Sequence, residues 1–231
     1  MNEHKTEDDS ARVAVWDLPT RLFKWLFAAL VATSLITGET GDMDIHVTSG
    51  LTIIALVLFR LGWGLVGGRH ARFTGFVRGP GVVLAYARDF AAGRSGRWAG
   101  HNPLGGLSVL AMLAAVGLQA GLGLFSNDDI LTEGPLMHLI EKETSDYITG
   151  LHETNGGLVL ALIAVHIGAV ALYLKKGENL IKPMLRGWKT GAFDGAGDDA
   201  GDERKKVEGN LAIALVLIVL AGGAAWYLTT L

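Results

Sequence analysis

Two histidines fourteen residues apart, His152 and His166, mark the stretch of chain where residue type and spacing point most directly to chemistry. Glu153-Thr154-Asn155-Gly156-Gly157 follows the first, and eight apolar residues, Leu158 to Val165, lead to the second. In a helix that separation is nearly four turns at about 100° per residue, so both imidazoles share one face, about 21 Å apart along the axis. The distance is too long for one site and suits two sites stacked along a rod. A haem iron takes axial imidazoles, often from two facing helices. His46 opens another apolar stretch at the level of His152, so that pair could clamp one haem. His166 needs a partner at the opposite end, and the residue at that depth in the first apolar stretch is Lys24. Arg60 follows His46 by fourteen residues and shares its face. It reads either as the charge partner of a haem propionate or as a side chain snorkelling to headgroups. The plain alternative for any single histidine here is a satisfied packing residue. His4 and His138 fall in polar stretches and read as solvated.

The elements that must carry these residues are membrane spans. A spanning helix needs about 20 mostly apolar residues to cross a hydrocarbon layer roughly 30 Å thick. Five segments are expected to qualify: Leu22–Thr37 (extended by the amphipathic residues before it), Val47–Val66, Leu104–Phe125, Gly156–Leu174 and Leu211–Leu231. The first does not read as a cleaved signal, because Glu3, Glu7, Asp8 and Asp9 precede it where a signal carries positive charge. Two basic amphipathic stretches, Arg78–Arg94 and Leu180–Lys189, read as helices lying on the membrane surface or as plain basic loops. Residues 191–203 read as an acidic linker, and residues 134–149 as a short external surface helix. Glycines at 50, 105, 106, 156 and 157 could let a flat cofactor approach the backbone or serve helix packing alone.

Loop charges set the expected orientation. The connection after the second span holds Arg69, Arg72, Arg78, Arg88, Arg94 and Arg97 against Asp89, and the one after the fourth holds eight Lys and Arg. The first and third connections are acidic, with Lys142 as their one base. The expectation is five crossings of a bacterial cytoplasmic (inner) membrane, N-terminus in the cytoplasm and C-terminus in the periplasm.

Composition agrees. The 231 residues are 50% hydrophobic and 19% charged, with 32 glycines and no cysteine, and the mean hydropathy is +0.35. Disorder needs low hydrophobicity and high net charge. The missing cysteine removes disulfides, thiolate metal sites, cysteine nucleophiles and covalent haem attachment. A net charge of −3 argues against a nucleic-acid partner.

Several motifs carry a family resemblance: VWDLPTRLFKW, HVTSG followed by ALVLFRLGWGLVGGRHARF, GHNPLGG, and LHETNGG with its histidine fourteen residues on. From Val15 to about Gly191 the chain resembles the bacterial cytochrome b561 family, which includes the b-type cytochromes attached to nickel hydrogenases. The resemblance implies an all-α membrane protein with a four-helix haem-binding bundle, here with a fifth C-terminal helix. Together with the spans and linker read above, the expected layout is tail (1–14), cytochrome b561-like domain (15–191), linker (192–207) and last helix (208–231). By the same resemblance His46 and His152 match the ligands of an outer haem b, and His166 matches one ligand of an inner haem. The fourth ligand position, a histidine in the family, falls on Lys24. Three outcomes are open for the inner site: no haem, a haem on His166 alone or with another residue opposite, or a haem with neutral Lys24 as ligand. His101 is a possible substitute, and His70 reads as a surface residue.

The function expected is electron transfer between the membrane quinone pool and a redox partner, such as a periplasmic electron-transfer protein. The rival expectation is a haem-binding subunit of a larger membrane complex, in which haem is chiefly structural. A transporter would need broken helices or inverted repeats, and the sequence shows neither.

Overall fold

The computed structural model describes residues 12–191, 193 and 208–231. The N-terminal tail to residue 11, with His4, and most of the expected linker lie outside the described residues.

Four long apolar helices dominate: α1 (Leu18–Thr40), α2 (Met43–Val66), α5 (Pro103–Gly123) and α6 (Lys142–Lys175). Each is long and apolar enough to cross a bilayer. Short helices α3 (Phe73–Phe76) and α4 (Pro80–Ala91) join α2 to α5. Past α6 come α7 (Ile181–Arg186) and α8 (Leu211–Tyr227). α1 pairs closely with α2 and α5 with α6; α2 meets α5 between the two hairpins, while α1 and α6 stand apart.

The α1–α2 turn is two residues long because Gly41 takes φ 78°, a left-handed conformation that costs glycine nothing. The Gly41 and Asp42 amides both reach back to the Thr37 carbonyl. The α5–α6 connection is held by Asp128, whose Oδ1 accepts from the amides of Ile130, Leu131 and Thr132 at 2.8–2.9 Å. Those donors hold its carboxyl below the usual carboxylate range. Ser145 on α6 donates to the Phe125 carbonyl at 2.7 Å and is itself fully buried.

At the opposite end Asp17 accepts from Thr20 N at 2.8 Å, capping α1, and from Trp63 Nε1 at 3.1 Å and Gly68 N at 3.2 Å. Asn102 does the same for α5: its carbonyl accepts from Gly105 N, and its amide donates to Tyr173 on α6 at 2.7 Å. Trp63 anchors one core cluster with Phe23 and Phe59; a second cluster around Val31, Ile53 and Val116 lies toward the other end.

Three expectations need correction. The segment expected as a separate surface helix over 134–149 is a three-residue turn, Met137–Leu139, followed by the first turns of α6. The 34 residues of α6 rise about 51 Å, so the helix overshoots a bilayer at that end. The polar run LysGluThrSerAsp at its start concealed it. The second surface helix is only the six residues of α7; the chain then forms β2 (Trp188–Thr190), antiparallel to β1 (Arg12–Ala14) with Val13 opposite Lys189. Strands of three residues leave no periodicity to read. His70 is partly buried, with its ring 6.5 Å from Trp16.

The helix expected to be a fifth span is short: α8 ends at Tyr227, a rise of about 26 Å. It packs on α2 through small residues, Ala214 and Ala221 in the Trp63 cluster, and Gly62 leaves room for Leu217. Gly209, just before it, lies against Trp63, and Leu231 accepts a hydrogen bond from His138 at 3.1 Å. The segment therefore runs from one end of the bundle to the other.

Asp17→Ala removes a cap worth about 1 kcal/mol and takes the acceptor from the buried Gly68 N–H at about 1–3 kcal/mol, while Trp63 Nε1 keeps Thr20 Oγ1 at 3.2 Å. Thermal unfolding of the variant should show a loss of roughly 2–4 kcal/mol; an unchanged midpoint would mean Asp17 does not tie α1 to α2.

Candidate haem site

His46 and His152 face each other across the gap between the hairpins, with ring centroids 6.1 Å apart and ring planes at 79°. A metal between two imidazoles sits about 2 Å from each nitrogen, which puts the two ring centroids roughly 6 Å apart. The observed separation matches that requirement.

Each imidazole is fixed by its own hairpin. His46 Nδ1 lies 2.8 Å from the Ser34 carbonyl of α1, and His152 Nδ1 lies 3.0 Å from the Gln119 carbonyl of α5. A carbonyl only accepts, so both Nδ1 atoms carry the proton and both Nε2 atoms keep a lone pair. A ligating histidine needs that tautomer. Four residues beyond each carbonyl stands a glycine. A Cβ on Gly38 would sit 3.1 Å from His46 Cε1, and one on Gly123 would sit 3.1 Å from His152 Cε1. The two hairpins thus repeat one device, a carbonyl that orients the ring and a glycine that makes room for it. Asn155 locks α6 onto the same ridge of α5, donating to the Ala115 carbonyl at 3.0 Å and to the Gln119 side chain at 2.7 Å.

A cavity of 430 Å³ surrounds the pair, lined by His46, His152, Gly38, Gly50, Gly123 and Gly157 among others. Cofactor pockets run from about 300 to 1,000 Å³. A Cβ at Gly50 or Gly157 would meet nothing, so these two leave open space beside the imidazoles. Gly105 and Gly106 do not belong here: they pack against Asn102 and the Phe76 carbonyl. Gly38, Gly123, Ser34 and Gln119 went unremarked in the sequence, where only glycines near the histidines in sequence draw notice. The i, i+4 pairs Ser34/Gly38 and Gln119/Gly123 were the available signal. No group of three His, Asp or Glu that could hold a metal ion exists among the described residues. A metal held by these two imidazoles would need further donors brought by its own cofactor, and a porphyrin would supply them. The residues fit that group.

The other end is built differently. His166 is exposed on α6 without a hydrogen bond or ring contact to another described residue, and the charge of Lys24 on α1 reaches it. The Lys24 ammonium rests 3.2 Å above the Trp16 ring. His101 lies between Trp16, 4.6 Å away, and Phe76, 4.8 Å away. Arg60, only 3% exposed, stacks over Phe73 at 4.8 Å and Phe76 at 5.9 Å. Lys24, Arg60 and His101 are thereby gathered on a shared set of rings, away from any paired-imidazole arrangement like that of His46 and His152.

Residues 15–187 match the family described as prokaryotic cytochrome b561. The chain belongs to that family. No curated protein and no solved structure matches the chain. Membership implies b-type haem and electron transfer in a membrane.

The shared seating device gives a direct expectation. Substituting a residue that orients a metal ligand typically weakens metal binding about 10–100-fold. Gly38→Ala and Gly123→Ala should each weaken haemin binding by about tenfold in titrations of the purified apoprotein. Unaltered affinity in both would show that the rings do not depend on these glycines.

Proposed function

We propose that the chain is a b-type cytochrome of the bacterial inner membrane that binds one haem between His46 and His152 and passes electrons between quinone or quinol and a redox partner. The observation that carries this reading is the facing pair of imidazoles, each held by a backbone carbonyl in the ligating tautomer. The bound haem would supply a one-electron couple in a low-dielectric setting. The protein's own part is positional. Ser34 and Gln119 keep the Nδ1 protons in place, Gly38, Gly50, Gly123 and Gly157 clear the space, and Val31, Ile53 and Val159 wall the cavity with apolar surface. Orientation follows the loop charges, with the His46–His152 end periplasmic and residues 15–191 forming the cytochrome domain, followed by the linker and α8 as a fifth crossing.

For the inner site, His166 is the candidate ligand, opposite Lys24 and with Arg60 as partner for a haem carboxylate. The rest position of Lys24 on Trp16 favours an inner haem that is absent or held by His166 without Lys24. A second functional reading is a subunit of a larger membrane complex. The extra helix α8, unneeded for the four-helix bundle, and Lys24 at a ligand position support it.

A dithionite-reduced spectrum of purified protein should show b-type haem at about one per chain. His46→Ala and His152→Ala should each abolish it; full haem content in both variants would remove the proposed pairing. Reduction by added quinol should separate an oxidoreductase from a purely structural haem subunit, and failure to reduce would favour the latter. Lys24→His should raise the haem-to-protein ratio toward two; an unchanged ratio and spectrum would place Lys24 outside any ligand position.

A further inference from the structure

The residues gathered at the Trp63 end carry a charge imbalance that the haem reading does not use. Lys24 and Arg60 bring two positive charges close together, and Asp17 is the acid whose charge reaches both. Both Asp17 oxygens, however, are committed to Thr20 N, Trp63 Nε1 and Gly68 N. The nearby Lys189 already has its own acid, Glu178, at 3.1 Å. Arg60 Nη1 is buried and has no hydrogen-bond partner among the described residues, and the same is true of His101 Nδ1. Burial, with Lys24 and Arg60 nearby, pushes the His101 imidazole well below its usual range, so it does not add a third charge. A buried guanidinium with an unsatisfied N–H is costly unless an acceptor completes it.

We propose that Arg60 Nη1 and the Lys24 ammonium, with His101 Nδ1 beside them, form a site for a singly charged oxyanion, satisfied by the phosphodiester of an anionic phospholipid headgroup. One negative charge balances Lys24 and Arg60 against Asp17, and a phosphodiester carries one. A planar guanidinium is suited to phosphate and carboxylate oxygens. The position fits lipid: the site lies where α1 and α2 meet the segment leading into α4, which Arg78 and Arg94 flank, and α1 stands apart from α6 on its other side. A haem propionate offers the same chemistry from a second source. The site goes beyond the cytochrome reading, since it needs an oxyanion whether or not an inner haem binds.

The test uses the full-length protein in neutral detergent, stripped of lipid and titrated with short-chain phosphatidylglycerol, while thermal stability and the haem-to-protein ratio are followed. Short-chain phosphatidylcholine is the zwitterionic control. The expected result is a saturable rise in melting temperature with phosphatidylglycerol alone, with apparent affinity falling roughly 30-fold or more in Arg60→Gln. Arg60→Lys and Lys24→Gln should fall between, and they serve if Arg60→Gln does not fold. A second haem in the wild type that Arg60→Gln loses, with no lipid response, would identify the oxyanion as a propionate and keep the site. Equal responses to both lipids in wild type and variants, with equal haem content, would overturn it. The absorbance of the haem at His46 and His152 is read separately: its loss would defeat the cytochrome reading and leave the lipid titration standing.

Discussion

Everything at the His46 end depends on two hydrogen bonds from imidazole Nδ1 to helix carbonyls. A free imidazole has two tautomers and a rotating ring, and neither choice is specified by an apolar helix around it. The Ser34 and Gln119 carbonyls settle both choices at once. These carbonyls already belong to helices, so the rings exploit acceptor capacity that a helix leaves over. In hydrocarbon no water competes for it. The glycines one turn on are the necessary complement, since a methyl group at Gly38 or Gly123 would press on the ring edge.

The two ends of the bundle answer the cost of polar groups in lipid in opposite ways. Around His46 and His152 the polar groups are neutral, directed and paired with backbone. Around Trp16 they are cationic and rest on aromatic faces: Lys24 on Trp16, Arg60 on Phe73 and Phe76. Attraction to a ring's negative face softens burial of a cation but supplies no acceptor for an N–H. That is why Arg60 keeps an orphan nitrogen despite close packing.

The four long spans and the juxtaposition of His46 with His152 were legible because they rest on long apolar runs and helical phase, and the family was legible from its motifs. Helix ends were less so. α6 begins at Lys142 because polar residues continue a helix past the membrane as readily as they form a loop, and hydropathy sees only the apolar part. The carbonyl seats could not be read, since a backbone oxygen carries no residue identity; Gly38 and Gly123 gain meaning only when another helix is laid against them. Asn155 is similar: it stands in a recognisable motif, but its task of joining α6 to Ala115 and Gln119 appears only in three dimensions. The Trp16 cluster draws on four separate segments and had no local signature.

Each histidine and its seat come from a single hairpin, α1–α2 for His46 and α5–α6 for His152. Helical hairpins are natural units of membrane insertion, entering the bilayer first and associating afterwards. Each unit can therefore arrive with its half of the clamp already oriented, before the other exists. Between the units the packing is thin, because only α2 and α5 meet closely. Capture of a cofactor by both imidazoles would then act as the rivet that joins two prefabricated halves, so cofactor supply would govern how much finished protein the membrane accumulates.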